Sequence, residues 1–190
     1  GLGDVYKRQL GKFYTINCSR VSSGRGFGDP ISLLIDKNDN EEVLFFKIYE
    51  QDKEFLITSS AGKGFFVNSN DFIASTKSGK KVMNLKDNDR AVSCAEKKGD
   101  LIVSISGEKK SFKLLAFNSS EIPNMQKGRG VTLQKFKSGK TLNAFCADSN
   151  EGIINERSKK VLLSAKDLKK WLGKRAQAGR IEPKNLHSKI

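Results

Sequence analysis

A chain of 190 residues with 35 Lys and Arg against 21 Asp and Glu carries a formal charge of +14, and 37% of it is apolar. That balance is too apolar for simple disorder, fits a single domain, and contains no run near the ~20 apolar residues a membrane span needs. The sole histidine, His187, and three scattered cysteines, Cys18, Cys94 and Cys146, without C-x-x-C spacing, exclude a disulfide framework, a zinc site and a Ser-His-Asp triad built by this chain alone.

Gly1 to Gln9 (GLGDVYKRQ) resemble a translated sequencing-library adapter and show no apolar periodicity. They are set apart as an adapter-like, non-native segment expected to pack against nothing, which leaves 10–190 as the domain. With no initiator Met and no signal-peptide pattern, the chain reads as an internal or C-terminal fragment.

From Leu10 onward, short apolar runs rich in Val, Ile, Phe, Thr and Tyr alternate with turn signals. LGKFYTI, ISLLI, EEVLFFKIY, KEFLITSS, KGFFV, KVMNL, RAVSCA, DLIVSI, KSFKLL, VTLQKF, TLNAFCA, EGIIN and KKVLLS are each predicted as strands. Asn70 to Ser75 is predicted as one helical turn capped by Asn70. Ser164 to Leu172 reads as a short amphipathic helix capped by Ser164, with Leu168, Trp171 and Leu172 at helical spacing and Trp171 as its core anchor. His187 reads as a tail residue.

A glycine in a basic context recurs at Gly26, Gly79, Gly128 and Gly179, at intervals of 53, 49 and 51 residues. A period near 50 with about four strands per unit predicts a propeller-like, all-β array of blades, with one short helix near the C-terminus. No W-D dipeptide or kelch double glycine is present, which argues against those propeller types. The glycines are bracketed by cations: Arg25 beside the first, Lys77, Lys80 and Lys81 beside the second, Lys127 and Arg129 beside the third, and Lys174, Arg175 and Arg180 around the fourth. Glycine lets the backbone approach a partner closely, and exposed N–H groups beside Lys or Arg make a modest phosphate site. Repeated once per blade, such sites predict a basic track round the rim of a disc. Lys37, Lys53, Lys97 and Lys98 lie away from these glycines and are expected to be exposed in polar connections. Lysines outnumber arginines by 27 to 8, which suits backbone contact rather than reading of base edges. The segment from Lys159 to Ile190 holds ten basic and two acidic residues, so the excess is steepest there.

The segments GRGFGDPISLLID (Gly24–Asp36), SSAGKGFFV (Ser59–Val67), FIASTKSGKKVMNL (Phe72–Leu85), KGRGVTLQKFKSG (Lys127–Gly139) and WLGKRAQAGRIEPKNL (Trp171–Leu186) resemble the C-terminal domain of the A subunit of bacterial type IIA topoisomerases. The likeness is closer to topoisomerase IV than to gyrase, whose Gln-Arg-Arg-Gly-Gly-Lys-Gly box is absent. The resemblance implies a β-pinwheel of four-stranded blades that exchange strands, with duplex DNA bent round a basic rim. About three and a half blades are expected here of the five or six usual in the family. It also implies that Arg25, Lys63, Lys77, Lys80, Lys81, Lys127, Arg129, Lys174, Arg175 and Arg180 contact DNA, with Gly26, Gly79, Gly128 and Gly179 as structural glycines.

By the same resemblance the parent would be an ATP-dependent type II topoisomerase of the cytoplasm, acting on the nucleoid. Its A subunit would dimerise and join a B subunit that handles ATP and Mg²⁺, while this piece would hold no cofactor, metal or catalytic residue. The family's nucleophilic Tyr follows an Arg, whereas Tyr6, Tyr14 and Tyr49 follow Val5, Phe13 and Ile48. Three other readings stand beside this one: a gyrase-type wrapping domain, a stand-alone basic propeller binding acidic proteins, and an RNA-binding protein. The RNA reading expects exposed aromatics among the cations, whereas the contexts of Phe13, Phe66 and Phe112 point to core.

Overall fold

A computed structural model describes residues 4–8, 11–21, 24, 28–36, 43–109, 111–183 and 186–190. For 4–8 it describes the backbone alone. Three four-stranded antiparallel sheets and one two-stranded hairpin make up the strands of the described residues.

Each large sheet is built on a hairpin: β1 (Asp4–Arg8) with β2 (Lys12–Ile16), β4 (Glu54–Ser59) with β5 (Lys63–Asn68), and β8 (Leu101–Glu108) with β9 (Ser111–Asn118). A third strand flanks the first member of each pair: β3 (Val43–Ile48), β7 (Ala91–Glu96) and β11 (Lys140–Ala147). A two-residue strand flanks the second: β6 (Lys80–Lys81) on β2, β10 (Val131–Thr132) on β5, and β14 (Arg180–Ile181) on β9. These short strands come from the following repeat, since β6 lies in the connection from β5 to β7 and β10 in that from β9 to β11. Each blade is thus closed by its successor in the chain. The fourth hairpin joins β12 (Ile153–Ile154) to β13 (Val161–Leu163).

The alternation of strand side chains explains the stacking. Phe55 and Ile57 of β4 and Phe65 and Val67 of β5 face one cluster, with Phe13 and Val82. Leu56 and Phe66, one residue out of phase, face a second cluster with Ile102, Leu115 and Phe117. Val103, Ile105 and Leu114 face a third with Ile153, Leu163, Leu168 and Leu186. The middle sheets are buried on both faces, so no blade completes its core alone. Phe13 stacks on Phe72 from the next blade, with ring centroids 4.0 Å apart.

Several expectations need correction. Asp4–Arg8 does pair: β1 runs between β2 and β3, with Tyr6 opposite Tyr14 on one side and Phe46 on the other. Strand pairing uses N–H and C=O groups that every residue carries, so a stretch without apolar periodicity fills a gap between two strands. ISLLI forms a 3-10 turn, Ile31–Leu33, rather than a strand. KVMNL and VTLQKF contribute only the short strands β6 and β10, because the chain then leaves one blade for the next. The turn predicted at Asn70 is Ser69–Phe72, and its cap is Asn68, whose side chain accepts from the Asn70 N–H. The helix from Ser164 divides into α1 (Ala165–Leu168) and a 3-10 turn, Lys169–Trp171. Leu168 is its buried anchor, while Trp171 is half-buried and donates from Nε1 to the Ile181 carbonyl. His187 is not a loose tail residue: its N–H and ring bond Glu182, and the ring packs on Phe112 at 4.4 Å.

Gly26 lies outside the described residues. The repeat the structure shows runs through Gly28, Gly79, Gly130 and Gly179, all with positive φ, at intervals of 51, 51 and 49 residues. Gly128 belongs to a different place: it bridges Met83 of the neighbouring blade, and it has no positive φ. Periodicity in composition located the repeat to within two residues, and backbone conformation selects the exact glycine.

Candidate nucleic-acid interface

The strand β7 lies against both β3 and β11, so the three flanking strands on that side meet between blades. The opposite edges, carrying β6, β10 and β14, therefore face outward. Those outer strands directly follow Gly79, Gly130 and Gly179. Each glycine is needed there. A Cβ on Gly79 would stand 2.7 Å from both the Phe13 carbonyl oxygen and the Tyr14 ring, and one on Gly130 would run into the Gly64 backbone.

Most of the proposed cations fall on this edge. Lys80 and Lys81 are exposed on β6, and Arg180 is exposed on β14. Lys127 is exposed and Arg129 half-buried just before β10, with the Arg129 Nε buried and donating to nothing among the described residues. Lys77 is exposed and donates to the Leu33 carbonyl at 3.1 Å. Lys174 is exposed before β14. Two members are already engaged. Lys63 donates to the Thr132 hydroxyl at 2.6 Å, and Arg175 donates to the Thr132 carbonyl at 2.8 Å. Arg175 also has its own N–H held by Glu121, so it braces β10 rather than projecting freely. Arg25 lies outside the described residues.

The cations away from the outer edge behave differently. Lys47 and Lys53 pair with Glu50 and Glu96, Lys97 with Glu54 at 2.6 Å, and Lys98 with Glu156. Lys53 and Lys97 are half-buried, not exposed as expected, and Lys37 is outside the described residues. Burial alone would raise the pKa of Glu96, but the Lys47 hydrogen bond and the charges of Lys47, Lys98 and Lys53 outweigh it and hold the carboxyl below its ordinary value. Among the described residues, no ion pair involves Lys12, Lys63, Lys77, Lys80, Lys81, Lys113, Lys127, Arg129, Lys174 or Arg180. The carboxylates neutralise the inner side and leave the rim cationic. Such a segregated field attracts a polyanion.

An open cleft of about 340 Å³ at the first outer edge is lined by Lys12, Lys81, Leu85, Lys86, Asp87, Asn88 and Asp89. One Asp89 oxygen is committed to Ser60 and the Ala61 N–H. Among the described residues no group of three or more His, Cys, Asp or Glu converges to hold a metal ion, so these residues do not fit one. Phe13 and Phe66 are buried, and Phe112 is covered by His187, so none of them offers an open stacking face. No helix is long and apolar enough to cross a membrane.

Sequence reasoning missed Lys12 and Lys113. Both occupy the strand position of Lys63: Lys12 pairs with Lys81, Lys63 with Thr132, and Lys113 with Ile181. A detectable signal existed. Each lysine stands five residues before the side chain that caps the next turn, namely Asn17, Asn68 and Asn118.

A family model described as the DNA gyrase C-terminal domain, a β-propeller, matches residues 53–95 and 116–145. The chain is 41% identical over 177 residues to the A subunit of DNA topoisomerase 4 from Rickettsia felis, covering 93% of this chain and 23% of the relative. The corresponding protein of Caulobacter vibrioides is 29% identical over 176 residues, again 93% of this chain and 23% of the relative. The chain thus spans about a quarter of the length of these relatives. Among solved structures, the ParC C-terminal domain of E. coli superposes with a TM-score of 0.82 at 22% identity, over 97% of this chain and 78% of that one. A DNA gyrase A C-terminal domain superposes with a TM-score of 0.67 at 25% identity, over 94% and 59%.

Proposed function

Because this chain belongs to the family of C-terminal β-propeller domains of type IIA topoisomerase A subunits, of the topoisomerase IV kind, we propose that it binds and bends duplex DNA along its outer edge. The observation that carries this reading is the segregation of charge. Inner lysines are matched by Glu50, Glu54, Glu96 and Glu156, while the cations of the outer strands have no carboxylate partner among the described residues.

The mechanism is electrostatic. Lys and Arg beside the tight glycine turns replace counterions condensed on the phosphates, which favours binding without reading base edges. Successive blades turn their outer strands along a curved path, so a duplex following several of them must bend. Smooth bending of a 20–30 bp site costs on the order of 1–6 kcal/mol, which several phosphate contacts together offset.

In the parent protein this module would hold a second DNA segment while other domains cut and pass strands. Dimerisation through the remainder of the parent chain, partnership with a B subunit that supplies ATP and Mg²⁺ chemistry, and a cytoplasmic, nucleoid site of action belong to the same proposal. The described residues contribute no part of that chemistry: Tyr14 is buried, and the Tyr49 hydroxyl donates to Asn70. The piece alone is expected neither to cleave nor to relax DNA.

The test is energy transfer between dyes at the two ends of a duplex of about 40 bp. A rise in transfer on adding the chain, with no cleaved or relaxed plasmid in parallel reactions, supports the reading. Binding to single-stranded RNA or to an acidic protein in preference to the duplex would overturn it.

A further inference from the structure

The lysine that precedes each turn cap recurs in every repeat of the chain. Lys12, Lys63, Lys113 and Lys159 each stand five residues before a residue whose side chain caps the following turn, namely Asn17, Asn68, Asn118 and Ser164. The four caps accept N–H groups at 3.0, 2.9, 2.8 and 3.1 Å, so the register is locked in each case. The residue just before each cap, Ile16, Val67, Phe117 or Leu163, is buried and fixes which side of the strand faces the core.

We propose that Lys12, Lys63, Lys113 and Lys159 form a ladder of phosphate contacts, one per blade, that sets the path of duplex DNA along the outer edge. This rests on the DNA-binding reading above and assigns it to a position that the glycine-flanking clusters do not include, apart from Lys63.

Three observations support the assignment. First, in three blades the position is the second strand of the hairpin, on the outward side, where it faces the short strand lent by the next repeat. Second, a lysine on an edge strand often serves to block aggregation, but these edges are already covered by β6, β10 and β14 at that very residue, so the usual structural reason does not apply. Third, none of the four has a carboxylate partner among the described residues, whereas Lys47, Lys53, Lys97 and Lys98 all do. The residue across the strand varies, being Lys81, Thr132 or Ile181, while the lysine stays. A cation retained where its neighbour changes from charged to apolar answers to something outside the fold. The flexible stem of lysine meets a phosphate as a point charge, which tolerates the sequence-independent geometry of a backbone contact.

The experiment compares two quadruple variants of the whole chain, each losing four positive charges. One is K12Q/K63Q/K113Q/K159Q. The other is K109Q/K137Q/K140Q/K169Q, four exposed lysines that are not on an outer strand pair. Affinity for a fluorescent duplex of about 40 bp is measured between 50 and 200 mM salt. The ladder variant is expected to lose about tenfold more affinity than the control and to flatten the salt slope by about 0.9 per lysine. Lysine-to-arginine replacement at the same four positions should restore the slope. Equal losses and equal slopes in the two variants would overturn the ladder while leaving DNA binding intact. Failure of the unaltered chain to bind would instead refute the underlying reading. Since Lys63 also bonds Thr132, the pair K113Q/K159Q serves if the quadruple variant unfolds. It is expected to flatten the slope by about half as much, and an unchanged slope would count against the ladder.

Discussion

Gly130 sits against Gly64 so closely that the backbone of one excludes a side chain on the other, and this contact fastens a strand of the third repeat onto the second blade. The contact distinguishes two glycines that look alike in the run Lys127-Gly128-Arg129-Gly130. A Cβ on Gly130 would meet backbone and would also demand a positive φ from an L residue, whereas one on Gly128 would meet only the movable methyl end of Met125. Gly130→Ala is therefore expected to destabilise the fold by about 2 kcal/mol or more, and Gly128→Ala by no more than about 0.5 kcal/mol. Urea unfolding of the two variants checks this, and equal midpoints would remove Gly130 from its role.

The caps give a second comparison. Asn118 Oδ1 accepts the Ser120 N–H at 2.8 Å, at the point where the chain leaves β9. Asn118→Ala should lower stability by about 1 kcal/mol, and Asn118→Asp, which keeps the acceptor, should recover most of it. Thermal unfolding of the three proteins is the measurement. Identical curves for all three would show that the turn holds without its cap.

Glu96 makes the fold acid-sensitive. Burial pushes its pKa up, but the Lys47 hydrogen bond and the surrounding lysine charges prevail, and the folded value lies below the ordinary one. A depressed carboxyl contributes stability that is present above the unfolded pKa and is lost as pH falls through the folded one. Stability should therefore decline as pH drops below about 4.5, and Glu96→Gln should flatten that decline. The check is chemical denaturation at stepped pH, and an unchanged pH dependence in Glu96→Gln would show that this carboxyl carries none of it.

Strand β1 yields a fourth expectation. It supplies pairing to β2 and β3, so deleting residues 1–9 should speed amide hydrogen exchange across Lys12–Ile16 and Val43–Ile48 while leaving β8 and β9 protected. Exchange rates unaffected by the deletion would mean that β2 and β3 hold without the intervening strand.

Much of the architecture was legible because burial leaves a mark on every residue it touches. The two-sided burial of β4, β5, β8 and β9 writes continuous apolar runs such as FLIT and LIVSIS, and these were readable as strands. The lent strands were not, because two residues such as Lys80–Lys81 or Val131–Thr132 carry no periodicity and owe their pairing to another repeat. Asp4–Arg8 was unreadable for the same reason, being held by backbone groups. The site was half legible. Compositional clustering found Lys80, Lys81 and Arg180 but also drew in Arg175, which braces Thr132, and it passed over Lys12 and Lys113 because no glycine stands beside them on the outer strand. Ion pairing was invisible too, since Lys47 and Glu96 are 49 residues apart in the chain and meet only where β3 and β7 do.

The central claim, that an unneutralised cationic rim binds the phosphate backbone of duplex DNA, is tested most directly by the slope of log affinity against log salt concentration. With about six phosphates engaged, affinity should fall on the order of 10³-fold between 50 and 200 mM salt, alike for duplexes of different sequence. A flat response, or strong preference for one short sequence, would contradict it.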